Sequence, residues 1–104
     1  MGQYVDVEVK SAIGRADVVV KLHDAIYVFE FKVDGTPEEA LEHINSKGYA
    51  IPYQPDHRSV VKIGVNFDST TRTIGDWVLS LIHISILFLR SLLRAIPYRF
   101  YRIE

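Results

Sequence analysis

The 104-residue sequence contains no cysteine. This absence excludes a disulfide framework, a zinc ion held by cysteines and a thiol nucleophile, and it suits the reducing cytoplasm. The glycines are isolated from one another, so the chain has no glycine-rich phosphate-binding loop. Its four histidines do not show the spacing of a metal-binding pair. We therefore expect neither a nucleotide-binding loop nor a zinc site.

Long hydrophobic segments are also lacking. The N-terminal residues MGQYVDVEVK do not contain the apolar stretch of a secretory signal. The apolar run within residues 78–95 is shorter than the ~20 residues that span a membrane, and it includes His83 and Arg90. We therefore expect a cytoplasmic protein that does not associate with membranes.

The chain is large enough for one small globular domain, with 48% hydrophobic and 24% charged residues. Its net charge of −1 hides an asymmetry. Residues 1–77 carry 8 Lys and Arg against 12 Asp and Glu, a net charge of −4, whereas residues 78–104 carry 4 Arg against one Glu, a net charge of +3. The sequence therefore divides into a core region, residues 1–77, and an apolar, basic tail, residues 78–104.

Three strands are predicted in the first third of the chain. Residues 4–10 alternate between polar and apolar side chains, which is typical of a half-exposed strand. Residues 17–22 form a short β-branched run, typical of a strand buried on both faces. Gly14 marks the turn before this run, and a tight connection after it leads to a third strand over residues 26–32. The three strands are expected to form an antiparallel meander.

A helix is predicted after the meander. Thr36 has the features of an N-cap, Pro37 suits the first helical position, and Gly48 indicates the end of the helix. Residues 59–67 predict a further buried strand and residues 72–77 a final edge strand. The predicted fold is therefore α/β, with a mixed central sheet in βββαββ order and one crossover helix.

The tail predicts a second helix over residues 79–95, ended by Pro97. One crossover helix leaves one face of the sheet uncovered, and this apolar helix would cover that face in the same chain or across a homodimer. A second interpretation stays open. Composition and charge change abruptly after Trp77, so residues 78–104 are alternatively foreign to the original gene.

Three charged residues interrupt the predicted apolar strands. Side chains two apart on a strand share a face, at roughly 6.6 Å of strand length, so Glu30 and Lys32 project together. The meander would place Asp17 opposite the same strand end. Two carboxylates suit Mg²⁺ or Mn²⁺, and an ammonium group beside them stabilises charge on a phosphate. The same spacing also occurs on ordinary solvated sheet faces, so the pattern alone leaves both interpretations open.

Four segments in order resemble the PD-(D/E)XK nuclease superfamily. They are GRAD at residues 14–17, VFEFK at 28–32, EALEHINSKGY at 39–49 and IGVNF at 63–67. They are most similar to an uncharacterised prokaryotic branch that usually lies C-terminal to an AAA-type ATPase-like domain. The resemblance covers about residues 5–77 and implies a restriction-endonuclease-like core.

The resemblance implies a site and a cofactor. Asp17 and Glu30 match the metal-binding carboxylates, with the Phe31 carbonyl as a backbone ligand. Lys32 matches the catalytic lysine, and Lys47 matches a helix position that contributes to the site. The implied cofactor is Mg²⁺ or Mn²⁺, and the implied partner is nucleic acid, with DNA expected, together with an ATPase-like domain.

The sequence also departs from the family pattern. His43 occupies a helix position where the family normally has glutamine, and such a histidine is more often an ordinary surface residue. Tyr49 matches another helix position that lines the family's site. The leading helix of the superfamily is expected to be absent, because the sequence begins at what reads as the first strand. The acidic core region also suggests that a partner supplies positive surface for nucleic acid.

Two functions remain open at this point. The first is a metal-dependent nuclease domain in which Asp17 and Glu30 hold the metal and Lys32 assists the attacking water. The second is a catalytically silent module of the same fold that docks on an ATPase or another protein.

Overall fold

The chain folds around one mixed β-sheet. The structure, a computed structural model, describes residues 6–9, 17–56, 58–82, 86–95 and 101–103. The elements in chain order are β1 (Asp6–Val9), β2 (Val18–Lys21), β3 (Ala25–Val33), α1 (Pro37–Lys47), a 3₁₀ turn (Ile51–Tyr53), β4 (Ser59–Asp68), β5 (Thr73–Ile82), α2 (Ile86–Ala95) and β6 (Tyr101–Ile103).

The six described strands lie in the order β1-β2-β3-β4-β5-β6. β1, β2 and β3 form an antiparallel meander, as predicted. β3 and β4 are parallel, which requires a crossover connection, and α1 provides it. β4 and β5 form an antiparallel pair, and β6 adds to β5 in parallel. The predicted βββαββ order and the restriction-endonuclease-like α/β class are confirmed, and β6 is an addition that the sequence did not indicate.

Local sequence signals set both ends of α1, as predicted. The Thr36 hydroxyl oxygen accepts a hydrogen bond from the Glu39 backbone N–H at 3.1 Å, and the Thr36 hydroxyl donates to the Glu39 carboxylate at 3.0 Å. The first bond satisfies a helix N–H group that would otherwise lack a partner, and the second holds the Glu39 side chain against the cap. At the other end, Gly48 adopts a left-handed backbone with φ of 67°, a conformation that favours glycine.

α1 packs directly on the centre of the sheet. Its buried residues Ala40, Leu41 and Ile44 contact β3 and β4. At Gly64 of β4 the approach is so close that an added Cβ would lie 2.2 Å from the Pro37 carbonyl oxygen and 2.7 Å from the Leu41 nitrogen. Only glycine allows this approach, because the atoms that a side chain would meet belong to the helix backbone.

We expect Gly64→Ala to destabilise the protein by about 1–3 kcal/mol, the usual cost of overpacking. The added methyl group must push the α1 backbone away from β4. Gly75→Ala is the matched control, since the nearest atoms to its added Cβ lie at 3.6 Å. Urea unfolding of both variants measures the difference. A Gly64→Ala variant as stable as Gly75→Ala would contradict the close contact.

The opposite face of the sheet has its own hydrophobic cluster. Val61, Leu79 and Leu81 are buried there, and Leu89 of α2 packs against them. α2 therefore contributes to covering the face that α1 leaves open, which is the role predicted for a helix of the tail. Within the described residues, no helix is long and apolar enough to span a membrane.

Two predictions about β5 and the tail are wrong. The strand predicted at residues 72–77 is not an edge strand, because β5 lies between β4 and β6 and continues to Ile82. The tail helix begins at Ile86 and not at residue 79. Residues 78–82 alternate, with Leu79 and Leu81 on one face of the sheet and Val78 and Ser80 on the other, and the backbone pairs with β4. From sequence alone, a short apolar run of this kind is compatible with a strand or a helix, and pairing with a neighbouring strand decides between the two.

The prediction that residues 17–22 are buried on both faces is also wrong. In β2 only Val19 is fully buried, and its neighbours are half-buried. Val19 lies in the cluster beneath α1, whereas Val18 and Val20 point to the opposite face. The predicted turn at Gly14 and the predicted helix stop at Pro97 lie outside the described residues. The division of the chain at residue 77 stays a prediction.

We expect Leu81→Ala to cost about 2–5 kcal/mol, as for other fully buried leucines. Leu81 is 0% exposed, although it lies in the region predicted as a separate tail. Ile74→Ala on the same strand is the control, because Ile74 is 60% exposed and its truncation should change stability by less than about 0.5 kcal/mol. Equal midpoints of urea unfolding for the two variants would mean that the second half of β5 does not belong to the core.

Candidate active site

β3 carries two charged side chains towards α1. Ile26 and Val28 of this strand belong to the core beneath α1, and alternation along the strand places Glu30 and Lys32 on the same face. Glu30 is only 6% exposed, and Lys32 is half-buried. The predicted same-side arrangement of the two residues is therefore present.

The backbone of β3 holds Asp17 at the end of β2. The Asp17 backbone N–H donates to the Phe29 carbonyl at 3.1 Å, and the Asp17 carboxylate accepts from the Phe31 backbone N–H at 2.8 Å. The carboxylate therefore lies beside the segment that carries Glu30, as the meander predicted. The N–H and C=O groups of one strand residue point to the same edge, so the Phe31 carbonyl faces this edge as well.

His43 of α1 contacts the buried carboxylate. Its Nδ1 atom forms a hydrogen-bonded ion-pair contact with Oε2 of Glu30. The other carboxylate oxygen, Oε1, is buried and has no hydrogen-bond partner among the described residues. The imidazole also meets the ring of Tyr49 edge-on, with 5.5 Å between ring centroids.

The contact of His43 with Glu30 was not predicted from the sequence. Isolated histidines on helices are common, and the spacing of this histidine is not that of a metal-binding pair. One signal in the sequence does point to it. α1 buries Ala40 and Ile44, and a residue adjacent to that stripe lies close to the strand that carries the charged pair.

Burial raises the pKa of Glu30 above its ordinary value of about 4.5. The main cause is desolvation, which disfavours the charged form. The hydrogen bond from His43 lowers the pKa of Glu30, the negative charge of Asp17 raises it, and the positive charges of His43 and Lys32 lower it. Ionisation of the Glu30 carboxyl group therefore costs free energy, as is typical of a carboxylate in a binding site for a charged ligand.

We expect Glu30→Gln to stabilise the metal-free protein increasingly as the pH rises. The folded protein binds the Glu30 proton more tightly than the unfolded chain does, so ionisation of Glu30 lowers the free energy of unfolding. This decrease in the free energy of unfolding is absent below about pH 4 and grows as the pH rises through the raised pKa of Glu30. Glutamine does not ionise and avoids it.

Urea unfolding in EDTA-containing buffer from pH 4 to pH 8 measures this effect. Glu42→Gln is the control, because Glu42 is an exposed glutamate near the same site. It shows how much of the effect comes from removing any one negative charge. A stability difference between Glu30→Gln and wild type that does not change with pH would contradict the prediction.

An open cleft lies beside this cluster. It is lined by Lys32, Glu39, Glu42, His43 and Ser46. Lys32 forms no hydrogen bond or ion pair within the described part of the chain, so its ammonium group is available to a ligand in the cleft. Glu39 and Glu42 make the helix side of the opening acidic.

Lys47, a further predicted site residue, is not among the residues that line the cleft. It is exposed at the last position of α1, four residues after His43. Among the described residues, Lys47 forms no hydrogen bond or ion pair with Asp17, Glu30 or Lys32. Its catalytic role stays a prediction. Tyr49 is buried and contacts the ring of His43.

The donor atoms suit a hydrated dication. Within the described residues, no three Asp, Glu, His or Cys side chains form a group that could hold a metal ion. Mg²⁺ does not need three such side chains, since it keeps several waters and is usually bound by one or two carboxylates. The unpartnered Oε1 of Glu30 and the neighbouring Asp17 carboxylate provide oxygen ligands of this kind. The residues present therefore fit such an ion.

The chain is similar to known proteins. Residues 1–77 match the family model of the PD-(D/E)XK nuclease superfamily. The chain is 34% identical over 80 residues to a protein of Azotobacter chroococcum mcd 1 described as an uncharacterized protein in the vnfD 5′ region. This match covers 75% of the chain and 16% of the relative, so the chain spans only a small part of the relative's length. No solved structure matches.

Proposed function

Because this chain belongs to the PD-(D/E)XK nuclease superfamily, we propose that it is a metal-dependent nuclease domain that hydrolyses phosphodiester bonds. The observation that carries the proposal is the buried carboxylate of Glu30. One of its oxygens has no partner among the described residues, and Asp17 and Lys32 lie beside it. A bound cation would stabilise the ionised form of this buried carboxylate and so offset the free-energy cost of its burial.

Asp17, Glu30 and the Phe31 carbonyl are the proposed ligands of Mg²⁺ or Mn²⁺. When bound, such an ion supplies Lewis acidity that polarises a phosphate oxygen and lowers the pKa of water. The backbone of β3 holds the Asp17 carboxylate in place through the 2.8 Å hydrogen bond from Phe31. This hydrogen bond keeps the Asp17 carboxylate beside the strand that carries Glu30.

Lys32 is the proposed catalytic lysine. Its ammonium group shares a strand face with Glu30 and opens on the cleft. It stabilises the negative charge that develops on the scissile phosphate and orients the attacking water by donating hydrogen bonds. Lys47 is proposed to contact the substrate at the end of α1.

DNA is the proposed substrate, and its binding requires positive surface from outside the core region. Glu39 and Glu42 border the cleft, and non-specific affinity for nucleic acid comes mainly from lysine and arginine. Since the chain spans 16% of its curated relative, further domains, such as an ATPase-like domain, are the proposed source. A cytoplasmic location and homodimer formation through the tail or the sheet face remain proposals.

The second candidate is a catalytically silent module of the same fold that docks on an ATPase or another protein. The acidic side of the cleft favours it, because Glu39 and Glu42 repel a phosphate backbone. The two candidates differ in one measurable property, cleavage in the presence of a divalent cation.

We expect Lys32→Ala and Glu30→Ala to reduce cleavage by roughly 10²-fold or more, the usual loss when a group acting in the transition state is removed. Plasmid, single-stranded DNA and RNA are incubated with the full chain and with Mg²⁺ or Mn²⁺. Lys21→Ala is the matched control, because it removes the same charge at the far end of β2. Circular dichroism shows whether each variant folds.

Each outcome separates the candidates. Cleavage by folded Lys32→Ala at the rate of the wild type would assign the activity to a contaminant. Absence of cleavage by the wild type on all three substrates, with both cations, would favour the silent module. A loss with Lys47→Ala as large as with Lys32→Ala would place Lys47 in the reaction.

A further inference from the structure

The contact between His43 and Glu30 is not used by the proposed reaction. It joins Nδ1 of the imidazole to Oε2 of a carboxylate that is 6% exposed. The other oxygen of that carboxylate, Oε1, is buried and has no hydrogen-bond partner among the described residues. The two oxygens of Glu30 therefore have different surroundings, since α1 occupies Oε2 and leaves Oε1 to a ligand.

We propose that His43 is a positioning residue for Glu30, which holds Oε2 through its Nδ1–H group and thereby presents Oε1 to the cation. The imidazole is not itself a ligand, because Nδ1 is engaged with the carboxylate. The inference rests on the proposed function, because it assumes that Glu30 binds a cation. It goes beyond that function by naming the oxygen that binds the cation and the side chain that selects it.

The chemistry of the two side chains sets the direction of this hydrogen bond. An ionised carboxylate only accepts hydrogen bonds, so Nδ1 carries the proton when Glu30 is in the charged form that binds a cation. The terminal torsion of a glutamate side chain has broad, roughly two-fold minima, so a carboxylate without this bond would exchange its two oxygens. The bond from His43 also lowers the pKa of Glu30 and so favours the charged form.

The structure also holds the imidazole in position. The buried ring of Tyr49 meets it edge-on, with an interplanar angle of 80°. The helix that carries His43 is packed directly against β4 at Gly64. A donor held in this way keeps the carboxylate in one orientation before the cation binds.

The test measures Mg²⁺ and Mn²⁺ binding to the full metal-free chain by calorimetry at one pH. His43→Leu removes the donor and keeps a branched side chain on the helix. We expect it to weaken the binding of both cations to a similar extent, by about tenfold or more, the usual loss when the hydrogen-bond partner of a metal ligand is removed. His23→Leu is the control, because His23 is an exposed histidine in the connection between β2 and β3.

His43→Asn is the conservative variant. Asparagine carries its amide nitrogen two bonds beyond Cβ, where the imidazole carries Nδ1, so it can donate a hydrogen bond to the same oxygen. We expect His43→Asn to restore most of the affinity that His43→Leu loses. Thermal unfolding shows that each variant is folded.

Nuclear magnetic resonance of ¹⁵N-labelled histidines gives a second, structural readout. The Nδ1–H resonance of His43 is assigned by its absence in His43→Asn and its presence in His23→Leu. We expect this resonance both in the metal-free protein and at saturation with Mg²⁺, because a positioning residue keeps its proton when the cation binds. A histidine that coordinated the cation through Nδ1 would lose that proton.

The inference and the proposed function fail in different ways. Binding of both cations to folded His43→Leu with the affinity of the wild type would overturn the role of His43 alone. The same conclusion would follow if His43→Asn bound as weakly as His43→Leu, if only Mn²⁺ binding were weakened, or if Mg²⁺ removed the Nδ1–H resonance. Absence of any Mg²⁺ or Mn²⁺ binding to the wild type would overturn the proposed metal site itself, and the inference with it.

Discussion

The direct packing of α1 on Gly64 is the contact on which the site depends. The parallel pairing of β3 and β4 requires a crossover, and the crossover helix lies flat on the sheet only because β4 has no side chain at this position. Glu30 pairs in register with Gly64. The same close approach therefore buries Glu30 and brings His43 of the helix against it. The packing of α1 on the sheet thus also determines the geometry of the site.

Burial of Glu30 lowers the stability of the fold but leaves a carboxylate that a ligand can bind. A half-satisfied carboxylate under a helix is destabilising, because one oxygen has lost water without gaining a partner among the described residues. An apolar residue would suit the fold better. The cost is typical of binding sites, where stability is exchanged for a group that a ligand can satisfy.

Sequence predicted the framework well, because its signals are local. Three of these signals determine the backbone conformation around them: the cap formed by Thr36, the left-handed Gly48 and the alternation in β3. The meander then placed Asp17 correctly, since short antiparallel connections restrict the register of strands.

Contacts between elements distant in sequence were harder to predict. The role of His43 depends on how α1 lies over β3, which no local pattern specifies. The end of β5 was misplaced for a similar reason. Residues 78–82 suit a strand or a helix equally, and pairing with β4 decides the outcome.

The position of Asp17 next to a four-residue strand has a thermodynamic consequence. β2 has one fully buried residue, whereas β3 and β4 lie at the centre of the core, so β2 opens more readily than β3 and β4. Asp17 and Glu30 thus sit on units of different local stability. A cation bound by both carboxylates, as we propose, would bind only the closed sheet, and by mass action it would hold β2 against β3. Binding of a cation at the site and closure of β2 on β3 would then be thermodynamically coupled.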